Sequence, residues 1–385
     1  MNKKKLFLTI GKGLGIYLLS AALSFLVFSF FAGKAITLTS PLPKEPGFKV
    51  DIDAPKTEEC PLNGKLYTKG EKEIWESRRP LGVMIENHEE ARPQSGLAKA
   101  DIVYEAVAEG GITRFLGIFY CGAAAKSVDL APVRSARTYF LDWVSEYDAL
   151  YNHVGGAGRC NDPTVDERAK ALCQIEQYKI KDLDQFGISF PTCYRNPDRL
   201  DHPVATEHQM VCSSDGLYEI AEKRGWTNVD EDGVSWDKNF SSWKFKEEKK
   251  LDDQTASFSA EFNFWKGYKE YLVRWEYDKN LNTYLRFTGG ESHMDFEGEQ
   301  LSAKNVVIQF SQETGPVDEH VHLLYQTKGE GKAIVFQDGK TIKGTWSKKA
   351  RTSRTKFYDS SGKEVVFNRG KIWIEVLPTD TVINY

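Results

Sequence analysis

The sequence predicts an α+β protein, in which a mixed α/β domain over residues 60–213 is followed by a β-rich domain over residues 214–385. A single N-terminal transmembrane helix precedes both. Three observations support this. An uncharged apolar stretch lies near the N-terminus, helix and strand patterns mix before residue 213, and turn-separated strand patterns dominate after about residue 254. The exported part of about 325 residues is also long enough for two domains.

The first predicted element is a membrane anchor. Residues 14–33 contain no charged side chain, and a helix of about 20 apolar residues crosses the ~30 Å hydrocarbon core. Residues 1–13 form a basic tail with four lysines, so the positive-inside rule keeps the tail in the cytoplasm and exports the rest. The alternative is a cleaved signal peptide. Its apolar core would be shorter, ~7–15 residues, and Gly33-Lys34-Ala35 is a poor cleavage site.

A tether and an acidic exported part follow the anchor. Residues 34–59 are polar and contain four prolines, which is typical of a linker. Without the five lysines up to residue 34, the chain carries 46 basic and 55 acidic residues, a net charge of −9. This charge excludes nucleic acid as a partner. The expected partners are the membrane, through the N-terminal helix, and cell-wall components or envelope proteins.

All six cysteines lie beyond the anchor, and an even number in an exported chain favours disulfides. Six cysteines allow 15 pairings. The preferred pairs are Cys60–Cys121, Cys160–Cys173 and Cys193–Cys212. The first would join the start of the domain to the end of a hairpin, and the other two would close short local loops.

The N-terminal domain mixes both kinds of element. Residues 81–86 read as a strand, and residues 102–108 and 112–120 read as a hairpin around Glu109-Gly110-Gly111. Helices are predicted from Pro132 to about residue 145, over residues 165–174 and over residues 215–224, with a strand at 150–154. In the C-terminal domain, strands separated by turn residues include one at residues 321–326.

Polar residues interrupt these strands and predict a ligand-binding site. The set comprises Glu86, Asn87, Arg114, Arg134, Ser135 and Arg137. A helix starting after Pro132 would offer free amides, and guanidinium groups bind carboxylate or phosphate in a fork. The alternative is that the arginines pair with the nearby carboxylates and bind no ligand.

Three residues are candidates for catalysis. A regular strand places Glu105 and Glu109 on one face, where two carboxylates could act as acid and base on a glycosidic bond. His153 stands at the end of a strand before two glycines, although a lone histidine there is more often structural. The sequence contains no G-x-S-x-G and no H-E-x-x-H motif.

No cofactor and no metal are predicted. His320 and His322 would share a strand face after Asp318, with His293 and Asp295 as contributors from a loop, but a third ligand is not evident. Aromatic residues of the second domain could stack on sugar rings, although alternating aromatics in strands more often form core. These are Trp265, Trp275, Tyr277, Trp346 and Trp373.

Long strings of residues carry a family resemblance. RRPLGVMIEN, ARPQSGL, ADIVYEAVAEGGITRF and APVRSARTYF, and later GGESHMDFEGEQLSAKNVVIQF, GKAIVFQDGKTIKGTW and KIWIEVLP, occur in that order. Over roughly residues 61–378 the chain resembles the YerB-like family of bacterial membrane-associated proteins. The resemblance implies an envelope location and two domains, and it supplies no reaction. Many members are lipoproteins, whereas this chain has a predicted anchor, and the family's Pro-His-Asn is replaced here by Thr206-Glu207-His208-Gln209.

These observations predict a membrane-anchored, extracytoplasmic protein of the cell envelope that binds an envelope ligand or partner. The alternative is a hydrolase or lyase that acts on cell-wall glycan or peptide through Glu105, Glu109 and His153. Whether the protein is an enzyme stays open at this stage.

Overall fold

The computed structural model describes residues 19–20, 24, 51–248 and 258–385. Within these ranges no helix is both long enough and apolar enough to cross a membrane. The predicted basic tail, nearly all of the predicted anchor at residues 14–33 and most of the tether lie outside the described residues. The α+β class is confirmed by the elements that follow.

The first half of the described chain mixes helices with short strands. The helices are α1 (Lys69–Glu76), α2 (Thr138–Val144), α3 (Ala171–Tyr178) and α4 (Ser214–Lys223). The strands are β1 (Glu58–Glu59), β2 (Leu66–Tyr67), β3 (Leu81–Glu86), β4 (Ile102–Glu109), β5 (Ile112–Phe119), β6 (Asp129–Leu130), β7 (Leu150–His153), β8 (Lys181–Asp184), β9 (Cys193–Arg195) and β10 (Met210–Ser213). The strands predicted over 81–86, 102–108 and 112–120 are confirmed as β3, β4 and β5.

The second half is almost entirely β. Its strands are β11 (Lys244–Lys246), β12 (Ser259–Asn263), β13 (Leu272–Asp278), β14 (Thr283–Thr288), β15 (Glu291–Ser292), β16 (Ser302–Ala303), β17 (Asn305–Ser311), β18 (Glu313–Thr314), β19 (Leu324–Tyr325), β20 (Gly329–Gln337), β21 (Lys340–Lys348), β22 (Lys356–Asp359), β23 (Val366–Asn368) and β24 (Ile372–Pro378). The prediction of a β-rich C-terminal region is confirmed.

One ten-stranded sheet runs through both predicted domains. Its order is β22-β21-β20-β17-β24-β4-β5-β3-β7-β8. The junction is the parallel pair of β24 and β4, in which Trp373 lies beside Val103 and Glu375 beside Glu105. β3 and β24 are buried along nearly their whole length, as expected for central strands covered on both faces. The regions 60–213 and 214–385 therefore share a sheet and a core, and Val50–Tyr385 is one compact unit.

A second antiparallel sheet is built from β12, β13, β14 and β15, with β16 pairing to β14. β13 alternates between buried and half-exposed residues along its length, the pattern of a strand with one face on a core. Its buried face brings Trp275 against Trp373 of the large sheet, with ring centroids 5.3 Å apart. The two sheets thus pack through aromatic side chains.

Two features differ from the predicted boundaries of the helices. The helix expected from Pro132 begins only at Thr138, because residues 133–136 are extended and bond to neighbouring segments. The helix expected over residues 165–174 begins at Ala171, after a short 3-10 helix at Glu167–Ala169. The hairpin turn was predicted correctly, since Gly110 and Gly111 both take positive φ, 57° and 79°.

The three disulfides in the structure are the preferred pairs Cys60–Cys121, Cys160–Cys173 and Cys193–Cys212. They close loops of 61, 13 and 19 residues. No free cysteine is found in the described part of the chain. This agrees with an oxidising, extracytoplasmic compartment.

Candidate functional site

The two carboxylates predicted to share a strand face point to opposite sides of the large sheet. Glu105 lies opposite Phe115 of β5, whereas the preceding residue, Arg114, faces the other way. The register shifts between Val107 and Glu109. This irregularity breaks the alternation of side chains, and Glu109 meets Arg114 in an ion pair. The predicted shared face is therefore wrong, because it assumed a regular strand.

One face carries a fully buried ionic group, here called the Arg286 centre, which consists of Arg286, Glu105 and Glu375. All three side chains are 0% exposed. Arg286 of β14 donates to Glu105 Oε2 at 2.6 Å and to Glu375 Oε1 at 3.4 Å. Its guanidinium group lies near three aromatic rings, those of Phe115, Trp275 and Trp373, at 5.8, 5.5 and 4.9 Å from their centroids. The centre joins the second sheet to the large one.

Glu105 is surrounded by hydrogen-bond donors. Its Oε1 accepts from Thr113 Oγ1 at 2.7 Å and from Asn87 Nδ2 at 3.1 Å, while Oε2 accepts from Arg286. An ionised carboxylate only accepts hydrogen bonds, and this environment supplies only donors. The geometry therefore fits an ionised Glu105 whose charge is balanced by Arg286.

Glu375 has a different environment. Its Oε1 accepts from Trp275 Nε1 at 2.9 Å, whereas Oε2 has no partner among the hydrogen bonds of the described residues. Burial and the adjacent Glu105 carboxylate raise the pKa of Glu375 well above its usual range. A proton shared with the adjacent Glu105 carboxylate relieves the repulsion between two buried carboxylates that have one guanidinium between them.

His293 extends the Arg286 centre towards the polar run after β3. Its Nδ1 accepts from Arg286 Nε at 3.1 Å, and its Nε2 lies 2.8 Å from Gln94 Oε1. This pairing requires a neutral ring with its proton on Nε2. Burial and the charges of Arg286 and Arg92 lower the pKa of His293 well below its ordinary value. Asn87 Oδ1 accepts from both Arg92 and Gln94, each at 3.1 Å.

Sequence reasoning missed Arg286 and Glu375, which complete the centre. A signal for Glu375 was available, since it is the only charged residue in the stretch IWIEVLP of β24. A charge inside an apolar central strand needs a buried partner. The identity of that partner could not be read, because Arg286 lies 89 residues away in another sheet.

On the opposite face, Glu109 is held between two arginines. Arg137 donates to Glu109 Oε2 from Nε at 3.0 Å and from Nη2 at 2.6 Å, and Arg114 pairs with Oε1. Burial raises the pKa of Glu109, but the charges and hydrogen bonds of Arg114 and Arg137 outweigh it and lower the pKa to about 2. Glu109 is therefore ionised and already paired with two arginines, as the ion-pairing alternative requires.

The remaining predicted binding residues are also engaged. Glu86 Oε1 lies 3.0 Å from Arg134 Nε, and Arg134 Nη1 donates to Glu207 O at 3.0 Å. Ser135 O accepts from Arg114 Nη1 at 3.1 Å. The amides predicted to be free at a helix start are bonded as well, those of Val133, Arg134 and Ala136 to Met210 O, Met84 O and Gly155 O. The arrangement favours internal pairing over an anion pocket at this helix.

The histidines named from sequence have separate surroundings. His153 is 0% exposed and lies between Gly155 O at 2.7 Å and Asp182 Oδ1 at 2.9 Å. His320 lies in a turn and His322 in the irregular segment that precedes β19, so the predicted shared strand face is wrong. His322 bonds to Asp318 at 2.8 Å. Among the described residues, two groups lie close enough to hold a metal ion: His88, Glu90 and His208, and Cys60, Asp101 and Cys121, whose two cysteines form a disulfide.

The aromatic residues divide into core and groove. Trp275, Trp346 and Trp373 are fully buried. They therefore belong to the hydrophobic core, which was the expected alternative to contact with a glycan. Trp265 is half-buried and lines a groove of about 830 Å³. The groove wall includes Phe264, Tyr268, Leu272, Glu261, Asn263, Glu313, Asp380 and Asn384.

Comparison with known proteins gives a consistent result. Residues 67–227 match the family described as "Protein of unknown function (DUF3048) N-terminal domain", and residues 260–374 match its C-terminal domain. A Bacillus subtilis (strain 168) protein named "Putative lipoprotein YerB" is 29% identical over 330 residues, 85% of this chain and 88% of that protein. The crystal structure of YerB protein from Bacillus subtilis aligns with a TM-score of 0.68 at 27% identity, covering 86% of this chain and 100% of that one.

Proposed function

The chain belongs to the YerB-like family, and on this premise we propose that it is a membrane-anchored, extracytoplasmic protein that binds a neutral glycan of the cell envelope in the groove around Trp265. The name of the Bacillus subtilis relative, a lipoprotein, supports a membrane-associated location. The three disulfides support an oxidising compartment. In this chain the apolar residues 14–33 would replace a lipid as the anchor.

The surroundings of the catalytic candidates support binding rather than hydrolysis. A general acid or base must reach the proton that it transfers. Glu105 and His153 are 0% exposed, and Glu109 accepts hydrogen bonds from two arginines. The two buried residues and the doubly paired Glu109 are therefore poorly placed to transfer a proton to a substrate.

The position of Trp265 is the observation that carries the proposal. Its Nε1 donates to Glu313 Oε1 at 2.9 Å, and its ring meets the edge of Tyr268 at 5.8 Å. Glu313 Oε2 in turn accepts from Tyr325. These contacts fix the indole before any ligand arrives. A fixed, half-exposed aromatic ring gives binding area at low entropic cost and can stack on the apolar face of a sugar ring.

The polar groups of the groove select the class of ligand. Glu261, Glu313 and Asp380 contribute carboxylates against one cation, Lys266, among the lining residues. This local charge, together with the acidic exported part, disfavours anionic polymers. Carboxylate and amide oxygens accept hydrogen bonds from sugar hydroxyls. The volume of about 830 Å³ lies within the ~300–1,000 Å³ typical of small-ligand sites.

The proposal is tested by titrating the purified full chain in mild detergent with a β-1,4-linked N-acetylglucosamine oligosaccharide, followed by calorimetry. Trp265→Ala is expected to weaken binding at least 10-fold, equivalent to about 1.4 kcal/mol. Trp226→Ala is the matched control, because Trp226 is also half-buried but does not line the groove. No binding by the unaltered chain, or equal loss in both variants, refutes the proposal.

Hydrolysis is examined in the same samples. Intact oligosaccharide after prolonged incubation supports a binding role. Shortened products that disappear in Trp265→Ala would show that the groove catalyses hydrolysis, and they would overturn the proposal of a binding role.

A further inference from the structure

We propose that His88, Glu90 and His208 form a binding site for a divalent transition metal of the zinc class. This inference goes beyond the glycan proposal and does not depend on it, since none of the three residues lines the Trp265 groove.

Two short segments bring the three residues together. β3 ends at Glu86, and His88 then precedes the 3-10 helix Glu89–Ala91, which contains Glu90. His208 ends a second 3-10 helix, Thr206–His208, just before β10. The residues are therefore 120 positions apart in sequence at their extremes but adjacent on one edge of the fold.

The distances suit a shared ion. One ligand atom from each residue lies within 4.8 Å of the other two. The imidazole rings of His88 and His208 are stacked, with centroids 4.8 Å apart and an interplanar angle of 25°, so the ring of the half-buried His88 would turn to direct its nitrogen at a zinc ion shared with His208. His208 Nε2 and Glu90 Oε2 are 3.9 Å apart, too far for a hydrogen bond but close enough to contract around one ion.

Glu86 prepares His208 as a ligand. His208 Nδ1 donates to Glu86 Oε2 at 2.6 Å, which fixes the tautomer and leaves the lone pair of Nε2 free. A carboxylate behind a histidine in this way is the usual outer partner of a metal-binding imidazole. Both Glu86 and His208 are buried, so this orientation is held by the fold. Glu86 itself is fixed by Arg134 at 3.0 Å.

His88 and Glu90 form the solvent-facing side of the proposed metal site. His88 is half-buried and Glu90 is exposed. His88 Nδ1 accepts from Glu90 N at 3.3 Å, a bond long enough for a metal to replace at small cost. Three protein ligands leave a fourth position for water or another ligand.

The neighbouring charges permit a cation, and no thiol competes for it. Arg134 is paired with Glu86, Arg199 also lies near Glu86, and Glu207 adds a carboxylate close to His208. Glu90 adds a further carboxylate. The cysteines of the described ranges are all in disulfides, so soft thiolate ligands do not divert the metal.

The test is titration of the full chain, without a polyhistidine tag, with Zn²⁺ by calorimetry and with Co²⁺ by visible absorption. One ion per chain is expected. Glu90→Gln should weaken Zn²⁺ binding at least about 100-fold, beyond the 10–100-fold typical of losing an outer partner. Glu90 is exposed, so this variant should fold normally, which thermal melting checks. His88→Ala should have the same effect on the binding.

Matched controls are Glu89→Gln, an exposed carboxylate one position away, and His202→Ala, an exposed histidine whose Nε2 lies 3.3 Å from Glu90 O. Both should bind Zn²⁺ like the unaltered chain. Failure of the unaltered chain to bind Zn²⁺ and Co²⁺, equal affinity in Glu90→Gln, or an equal loss in the two controls overturns the proposal.

Discussion

The two buried glutamates of the Arg286 centre should respond very unequally to the same substitution. In Glu105→Gln, one carboxylate oxygen is replaced by an NH2 group, although both oxygens accept hydrogen bonds from donors in the unaltered chain. Arg286 also loses its counter-ion. Removing one partner of a buried ion pair typically costs ~3–5 kcal/mol. In Glu375→Gln, the amide oxygen accepts from Trp275 and Arg286, and the amide nitrogen donates to Glu105 in place of the proton. The cost should stay below about 1 kcal/mol.

Thermal melting followed by circular dichroism measures the difference. An unfolding entropy of about 2.1 cal/mol/K per residue means that a unit of the size of Val50–Tyr385 changes its Tm by roughly 1.4 °C for each kcal/mol. Glu105→Gln should therefore lower the Tm by about 4–7 °C. Glu375→Gln should change it by about 1 °C or less near pH 5.

The pH dependence sharpens the test. The pKa of Glu375 is raised on folding, so above the ordinary pKa of 4.5 the folded state holds a proton that the unfolded state has released. Stability from this group therefore falls as pH rises above 4.5. Glutamine does not titrate, so Glu375→Gln should gain stability relative to the unaltered chain between pH 5 and pH 8. Equal destabilisation by both substitutions at pH 8 would show that both glutamates are ionised and would refute the reasoning.

Two further predictions concern Glu109 and the disulfides. The pKa of Glu109 is lowered from 4.5 to about 2 on folding, so ionised Glu109 contributes about 3 kcal/mol of stability above pH 4.5, which is lost as pH falls towards 2. Glu109→Gln should remove this contribution, as measured by urea titrations over that pH range. An unchanged loss of stability at acid pH in the variant would contradict the prediction. Cys60–Cys121 closes a loop of 61 residues, whereas Cys160–Cys173 closes one of 13 residues. Replacing both cysteines by serine should therefore lower the free energy of unfolding by about 4 kcal/mol for the first pair and about 3 kcal/mol for the second. The reverse order in denaturant midpoints would show that strain or packing outweighs loop entropy.

The local elements were accessible from the sequence because their signals are local. The apolar run of β3, the paired glycines between β4 and β5, and the alternation of β13 each lie within a few residues. The disulfide pairs were also accessible, since two of them close short loops. The start of the helix expected from Pro132 was not, because the amides of Val133, Arg134 and Ala136 bond to segments distant in the chain.

The candidate sites divide in the same way. The sequence identified the polar run around Glu86 and Arg134 and two open alternatives for it, a ligand pocket or internal ion pairs. It could not choose between them, because the answer depends on which face of the sheet each side chain takes. A single irregularity between Val107 and Glu109 sent Glu105 and Glu109 to opposite faces, and a period-two pattern cannot reveal such a shift.

The sequence by itself predicted the class of fold and the cysteine pairs that the structure contains, since these follow from composition, local periodicity and chain distance. Only the tertiary structure decided that Arg286 lies between Glu105 and Glu375, that Trp265 stands at a groove, and that His88, Glu90 and His208 meet. The physical reason is that each of these groups joins residues from segments far apart in the chain. Their contacts are set by the stacking of two sheets and the convergence of short loops, and such packing leaves no mark on neighbouring residues.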